Sequence, residues 1–385
     1  MLVSTDDDSI RIINLQTKEI SRLGTIKGTN AKYVSSSHIL YADKGTLMAI
    51  AFDVRSCTTT GSPFLVLSGV RSHAGHRVAH YAVSRNGLIA YLYSPTEPKA
   101  RFFWVDRRNT TIDVGLPSDD YRYMMLSPDG TKLAAIINRA QQELWIYDLV
   151  RNTRSLIRSG PRFRCVVWDP HQNFITYGSK IEGAYAIIRQ SLNVEAEPNI
   201  LIRKRFAISP YSWSRDGRLF AFTGGDSTFV IHPDTGAANI LQSMSKVRSF
   251  FTFSPEADYV AYTVGAEKVW QVYVEPFPPT GERWQISTDG GEEPIWSSSG
   301  KELFFRWGTQ WKSVDLVLKP KFSAGKPRLI FEGDFINIPS WSYSAAPDGQ
   351  RFLVLKDVNE QSEYTEIRLI SNIFSRFSEA RNTND

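Results

Sequence analysis

A four-residue turn recurs along this chain at near-constant spacing, and that recurrence limits the possible folds more than any other feature. It is clearest at Ser127-Pro128-Asp129-Gly130, where a short apolar run ends, the chain reverses, and KLAAII (132–137) begins. Pro128 fixes φ near the value the second turn position needs, and Gly130 accepts positive φ without a Cβ penalty. Asp129 bonds nearby amides through its carboxylate. Close copies stand at Ser84-Arg85-Asn86-Gly87, Ser214-Arg215-Asp216-Gly217, Ser297-Ser298-Ser299-Gly300 and Ala346-Pro347-Asp348-Gly349. Degenerate copies are Asp169-Pro170-His171-Gln172 and Ser254-Pro255-Glu256-Ala257, with a first at Val34-Ser35-Ser36-Ser37. Between their first residues the spacings are 50, 43, 42, 45, 40, 43 and 49 residues.

Each repeat reads as several short strands. An aromatic often precedes the turn, as at Trp168, Trp213, Phe253 and Trp296, and runs such as LIAYL, LFAFTG, YVAYTV, ELFFRW and RFLVLK follow it. Third strands appear in LWIYD, TFVIHP and WQVYVEPF, and fourth strands in RWQIST and PRLIFEG. Helical periodicity is absent over any useful length. A period of roughly 40–50 residues with four short strands per unit marks a propeller blade. The fold class expected is therefore all-β: a closed β-propeller of four-stranded antiparallel blades. Eight anchors imply eight blades, or seven if one degenerate unit is not a blade. Residues Met1–Gly24 supply strands with no anchor before them, while the C-terminal unit offers little beyond EIRLISNIF. Closure is thus expected through N-terminal strands completing the last blade, in a single domain over 1–374 with a flexible tail at 375–385.

Composition supports a packed protein: 42% of the 385 residues are apolar and 12% aromatic. The net charge of +5 is interspersed, without the dense Lys/Arg block of a nucleic-acid groove. Cys57 and Cys165 match no metal or redox spacing and read as unlinked thiols, Cys165 buried. No apolar run approaches the roughly 20 residues of a membrane helix, and the N-terminus lacks a basic, apolar leader. The chain as it stands reads as soluble and cytoplasmic, or periplasmic if it belongs to a longer receptor.

The S-P-D-G turns resemble those of TolB-like, WD-repeat-like bacterial propellers. Val272–Arg306, Phe322–Gly333, Ala346–Lys356 and Tyr33–Asp53 are similar to the propeller region that follows the membrane segment in bacterial receptor serine/threonine kinases. The resemblance implies a propeller serving as a sensing or docking module. The kinase domain and membrane helix of those proteins are not in this sequence.

No Gly-x-Ser-x-Gly elbow, phosphate loop or dinucleotide fingerprint occurs, so neither enzyme chemistry nor a cofactor is expected. His73, His76 and His80 lie at spacings a transition metal tolerates, but in a loop, and read as a polar segment without a ligand. Asp6-Asp7-Asp8 reads as a solvated acidic turn. Asp129, Asp216 and Asp348 read as turn acceptors, and Trp145, Trp168, Trp213 and Trp296 as wedges between blades. The segment linking one blade's outer strand to the next blade's inner strand crosses to the central channel. Residues four to six before each anchor should therefore ring one opening: Asn30, His80, Tyr121, Arg122, Tyr123, Arg164, Arg248, Phe250, Glu292, Glu293 and Trp341. Glu292 and Glu293 are expected to pair with Arg122, Arg164 or Arg248 across it. Arginine and aromatic side chains anchor protein and peptide ligands. The function expected is a non-catalytic binding or scaffold module whose channel rim meets a protein, peptide or small ligand. The alternatives are a lyase- or hydrolase-type propeller enzyme using the funnel, and a degenerate fragment of a membrane-bound sensor kinase.

Overall fold

The computed structural model describes all residues except 1, 5–8, 16, 44, 72–78, 94–98, 140, 161, 194, 226, 234–239, 246–248, 267–268, 358–365, 375–376 and 378–385. The fold is all-β, in antiparallel sheets mostly of four strands. All eight anchors form the same turn. In each, the amide of the fourth residue donates to the carbonyl of the first at 2.8–3.2 Å. The fourth residue always has positive φ, from 58° at Ala257 to 81° at Gly87, so the degenerate copies keep the geometry with Ser37, Gln172 and Ala257 in glycine's place. The side chains act as expected: Asp129 Oδ1 accepts from the Ser127 hydroxyl (2.6 Å) and the Thr131 amide (2.9 Å). Asp216 does the same with the Ser214 hydroxyl and the Arg218 amide, and Asp348 accepts from the Gln350 amide, Ala346 having no hydroxyl to offer.

Where the repeat predicts one array over 1–374, the chain divides into two compact units, Ala100–Lys356 and Met1–Lys99 with Asp357–Asp385. Six anchors fall in the larger unit and two, at 34 and 84, in the smaller.

The larger unit is built on six inner strands: Tyr121–Leu126, Phe163–Trp168, Ile208–Trp213, Ser249–Phe253, Glu292–Trp296 and Tyr343–Ala345. Each carries a sheet outward from itself. Successive inner strands pack side by side, and the sixth lies against the first, so the circuit closes. The cores lie between sheets: Leu133, Ala134, Ile136 and Ile175 are fully buried, as are Phe220, Phe304, Leu353 and Val354. Trp168 and Trp296, each just before an anchor, donate their indole N–H to Met125 O (2.9 Å) and Thr252 O (3.2 Å) of the preceding inner strand. Those two are inter-blade wedges, and Trp213 also bridges blades, donating to Thr176 Oγ1 on the sheet before it. Trp145 is not a wedge. Half-buried on the third strand of its sheet, it donates to Glu143 and lies under the Arg154 guanidinium.

Closure of the last sheet departs from the expectation. Outside Tyr343–Ala345 and Arg351–Asp357 come Ala100–Asp106 and then Thr111–Asp113, not N-terminal strands. The reason is side-chain fit. Phe102 and Val105 are fully buried, and Phe102 packs on Tyr121 of the first inner strand at 4.5 Å between centroids. Arg351 covers the Trp104 ring at 4.5 Å, and Arg107 forks onto Glu302 of the fifth sheet at 2.6 and 3.0 Å.

In the smaller unit, Leu2–Ser4, Ser9–Ile13 and Ile20–Lys27 form a sheet of their own. Ile10, Leu23 and Ile26 bury against Ile39, Tyr41 and Ile50 of the next, four-stranded sheet, which holds the N-terminal strands there. The third sheet pairs Tyr81–Val83 with Ile89–Tyr93 and then with Glu366–Ile370. Beyond it, Phe377 is buried and packs on His38 and Phe64, so the chain stays anchored past the start of the expected tail; the rest of 375–385 lies outside the described residues.

Candidate functional site

Five of the six inner strands of the larger unit carry a register shift near their leading end, at Tyr121/Tyr123, Arg164/Val166, Pro210/Ser212, Ser249/Thr252 and Glu292/Ile295. The residues set out of the ladder include Arg122, Cys165, Tyr211, Phe250 and Glu293. Bulges bend a strand and re-aim a side chain. Cys165, Phe250 and Glu293, each four residues before its anchor, hold positive φ of 44°, 55° and 57°. For non-glycine residues that costs about 1–2 kcal/mol each, so the surrounding packing must fix them.

These residues meet. Tyr211 and Phe250, from the third and fourth strands, and Trp341, just before the sixth, form an aromatic trio with centroids 5.5, 5.6 and 6.4 Å apart. Trp341 is buried and donates its indole N–H to Pro294 O at 3.2 Å. Cys165 is buried beside them; burial pushes its thiol up to about 11, with Ser340, Arg164 and Ser209 pulling the other way. Burial likewise pushes Tyr211 up to about 12. Strands from opposite sides of the circuit therefore touch through side chains at this level.

At the leading ends lie most of the residues expected at a rim. Glu293 is buried and accepts from the Ser342 amide at 2.6 Å and its hydroxyl at 2.7 Å, while Tyr343 donates to the Glu293 carbonyl at 2.8 Å. Burial pushes its carboxyl up to about 7, against the opposing pull of Arg306. The acids do not pair with Arg122 or Arg164. Their partner is Arg306 on the adjacent strand of the same sheet, 3.2 Å from Glu292 and 3.6 Å from Glu293. Register explains this, since Glu292 stands opposite Arg306. Tyr121 is fully buried and donates to Pro117 O at 2.6 Å, a packing role. Tyr123 is buried; desolvation raises its hydroxyl, and Arg122, Arg164 and Arg162 oppose that. Asn30 and His80 belong to the smaller unit, where Asn30 donates to Ala79 O and His80 is exposed at the start of a strand. Arg248, His73, His76 and Asp6–Asp8 lie outside the described residues. Among those described, no three His, Cys, Asp or Glu side chains come together as a metal requires.

A cavity of the larger unit opens at the other end of the inner strands, among the anchors. It holds about 520 Å³. Turn residues of all six repeats edge it, including Pro128, Pro170, Arg215, Pro255, Ser298 and Pro347, with Tyr211, Trp341 and Pro294 at its base. Of the described rim residues expected from sequence, Trp341 alone lines it. The turns tile. A Cβ on Gly130 would meet Pro347 at 2.8 Å, and one on Gly300 would meet Pro255 at 3.3 Å. Ser298 donates to Pro347 O at 2.9 Å, and Gln172, with its amide nitrogen toward Asp129, donates at 2.8 and 3.0 Å. Sequence reasoning missed this funnel because it followed the segments that lead into the inner strands. The six anchors themselves were the available signal.

No protein-family model and no curated protein matches the chain. A solved structure of a putative TolB from Agrobacterium tumefaciens is similar over 68% of this chain and 99% of its own, at 15% identity and a TM-score of 0.51. TolB from Acinetobacter baumannii is similar over 86% of this chain and 80% of its own, at 13% identity and a TM-score of 0.45. Likeness at such identity speaks to architecture alone: this chain has a TolB-like β-propeller fold.

Proposed function

We propose that the larger unit is a non-catalytic binding module that takes an uncharged, apolar stretch of peptide into the funnel between the anchor turns. One observation carries this reading. The wall is aromatic, aliphatic and proline-rich with interspersed serines, and among the described residues Asp129 and Arg215 are its only charged ones. Asp129 is already committed to its own turn and to Gln172. Four of the wall hydroxyls are engaged as acceptors as well. Ser212, Ser254, Ser297 and Ser344 accept from the amides of Phe253, Tyr259, Glu302 and Leu126. A polar small molecule would find few groups to orient it, whereas apolar side chains gain roughly 25 cal/mol for each Å² removed from water. The volume suits a few residues of chain.

The test is fluorescence anisotropy with labelled peptides, neutral and Leu/Pro/Phe-bearing against acidic and basic ones. Neutral peptides should bind best, and Ala345→Trp, which fills the funnel, should abolish binding while circular dichroism stays unchanged. Equal binding by Ala345→Trp, or conversion of the peptide to product, would refute the proposal.

A further inference from the structure

At the end of the inner strands remote from the funnel, positive charge gathers on one side. Arg122 stands in the bulge of the first inner strand and Arg164 beside the bulge of the second, with Arg162 just before that strand. All three act electrostatically on the Tyr123 hydroxyl. The Arg164 guanidinium lies 5.7 Å from the centroid of the Tyr185 ring, and Lys180 Nζ lies 5.6 Å from the same centroid. Of the acids in these two sheets, Asp119 and Glu143 are engaged with Arg139 and Glu182 with Arg203, while Asp120 accepts from the Asn138 side-chain amide at 2.7 Å. Arg164 Nε is buried without a hydrogen-bond partner among the described residues. That nitrogen is out of reach of solvent, so an incoming anion would meet the outer guanidinium nitrogens, whose fork matches the oxygens of phosphate and carboxylate.

We propose that this mouth is an oxyanion site, with Arg164 as principal donor to a phosphate or carboxylate group and Arg122 and Arg162 supplying the field that draws it in. Arg122 and Arg162 hold contacts of their own, so their part is charge rather than vacant hydrogen bonds. The aromatic trio and Cys165 lie between this mouth and the funnel, so the two ends are chemically distinct sites. The inference does not depend on what the funnel binds.

The test is the thermal midpoint of the full chain in inorganic phosphate and in malonate, each against chloride at equal ionic strength. At least one anion should raise the midpoint by about 2 °C or more beyond chloride. Arg164→Gln should weaken the apparent affinity by about tenfold, and Arg162→Gln by a smaller factor. If Arg164→Gln does not fold, Arg162→Gln and Lys180→Gln carry the comparison. A response to phosphate alone assigns a phosphoryl ligand, and to malonate alone a carboxylate ligand. Midpoints that match chloride, or that shift equally in wild type and variants, would overturn the site.

Discussion

Glu293, on the fifth inner strand, receives both the amide and the hydroxyl of Ser342, at the approach to the sixth. That join rests on a carboxyl that burial pushes from 4.5 up to about 7. A folded-state value above the unfolded one means that the folded protein holds the proton more tightly. The contribution is therefore fully present below about pH 4.5 and is lost as pH rises through 7. Its ceiling is about 3 kcal/mol, lowered by the coupling to Arg306. Urea midpoints of the wild type should fall between pH 5 and 8 relative to Glu293→Gln, which cannot ionise. Parallel pH profiles for the two proteins would show that Glu293 does not titrate in this window.

Gly130 serves the turn by its φ of 74° and the circuit by leaving room for Pro347 of the sixth repeat. Gly130→Ala meets both penalties and should cost about 2 kcal/mol. Gly183, with φ of 83° and open space around it, should lose only the backbone share on the same change. Chemical denaturation of the two variants separates them, and equal losses would leave the Pro347 contact without energetic weight.

How much of this was legible in sequence follows from what each interaction depends on. The anchors were readable because turn geometry is local: Pro, Asp and Gly act within four residues. Even the degenerate copies kept the bond, at Gln172 and Ala257. The partner of the last strand was not readable. Ala100–Asp106 and the N-terminal strands both have strand composition, and the choice is made by distant contacts such as Arg107 with Glu302 and Phe102 with Tyr121. The rim was half legible. Position four before the anchor does turn inward at Phe250 and Glu293, but it does so at Cys165 too, which no charge or motif distinguishes. The pairing of Glu292 with Arg306 follows from register, which spacing alone does not fix.

Arg107 holds the closing strand to its neighbour through three bonds, two to Glu302 and one from Nε to Gly349 O at 2.8 Å. Its guanidinium also covers the Phe304 ring at 5.4 Å. Lysine keeps the charge but loses the fork. Arg107→Lys should destabilise by about 1–2 kcal/mol, nearly as much as Arg107→Ala. A lysine variant as stable as wild type would mean that charge alone suffices.

Cys57 is exposed, and Cys165 is buried with its thiol pushed up to about 11. Because the thiolate is the reactive form, a thiol reagent should label one site per native chain and two after denaturation. Mass spectrometry should place the native label on Cys57. Rapid native labelling of Cys165 would show that the level of the aromatic trio opens to solvent.

Ala257 occupies the glycine position of its turn at φ 58° and donates its amide to Ser254 O at 2.9 Å. The left-handed conformation costs an alanine about 1–2 kcal/mol relative to glycine. Against this, its methyl is partly buried against the cluster that holds Phe253 and Val260, and deleting it gives back about 0.5–1 kcal/mol. Glycine also has more backbone freedom to lose on folding. The strain term remains the larger, so Ala257→Gly should raise stability by about 0.5 kcal/mol, read as a higher urea midpoint at unchanged slope. Gln172→Gly tests the other side of the same balance. It relieves a φ of 61° but removes the amide that reaches Asp129, and it should gain nothing. If both glycine variants gained equally, the contact between neighbouring turns would contribute nothing to holding the funnel mouth together.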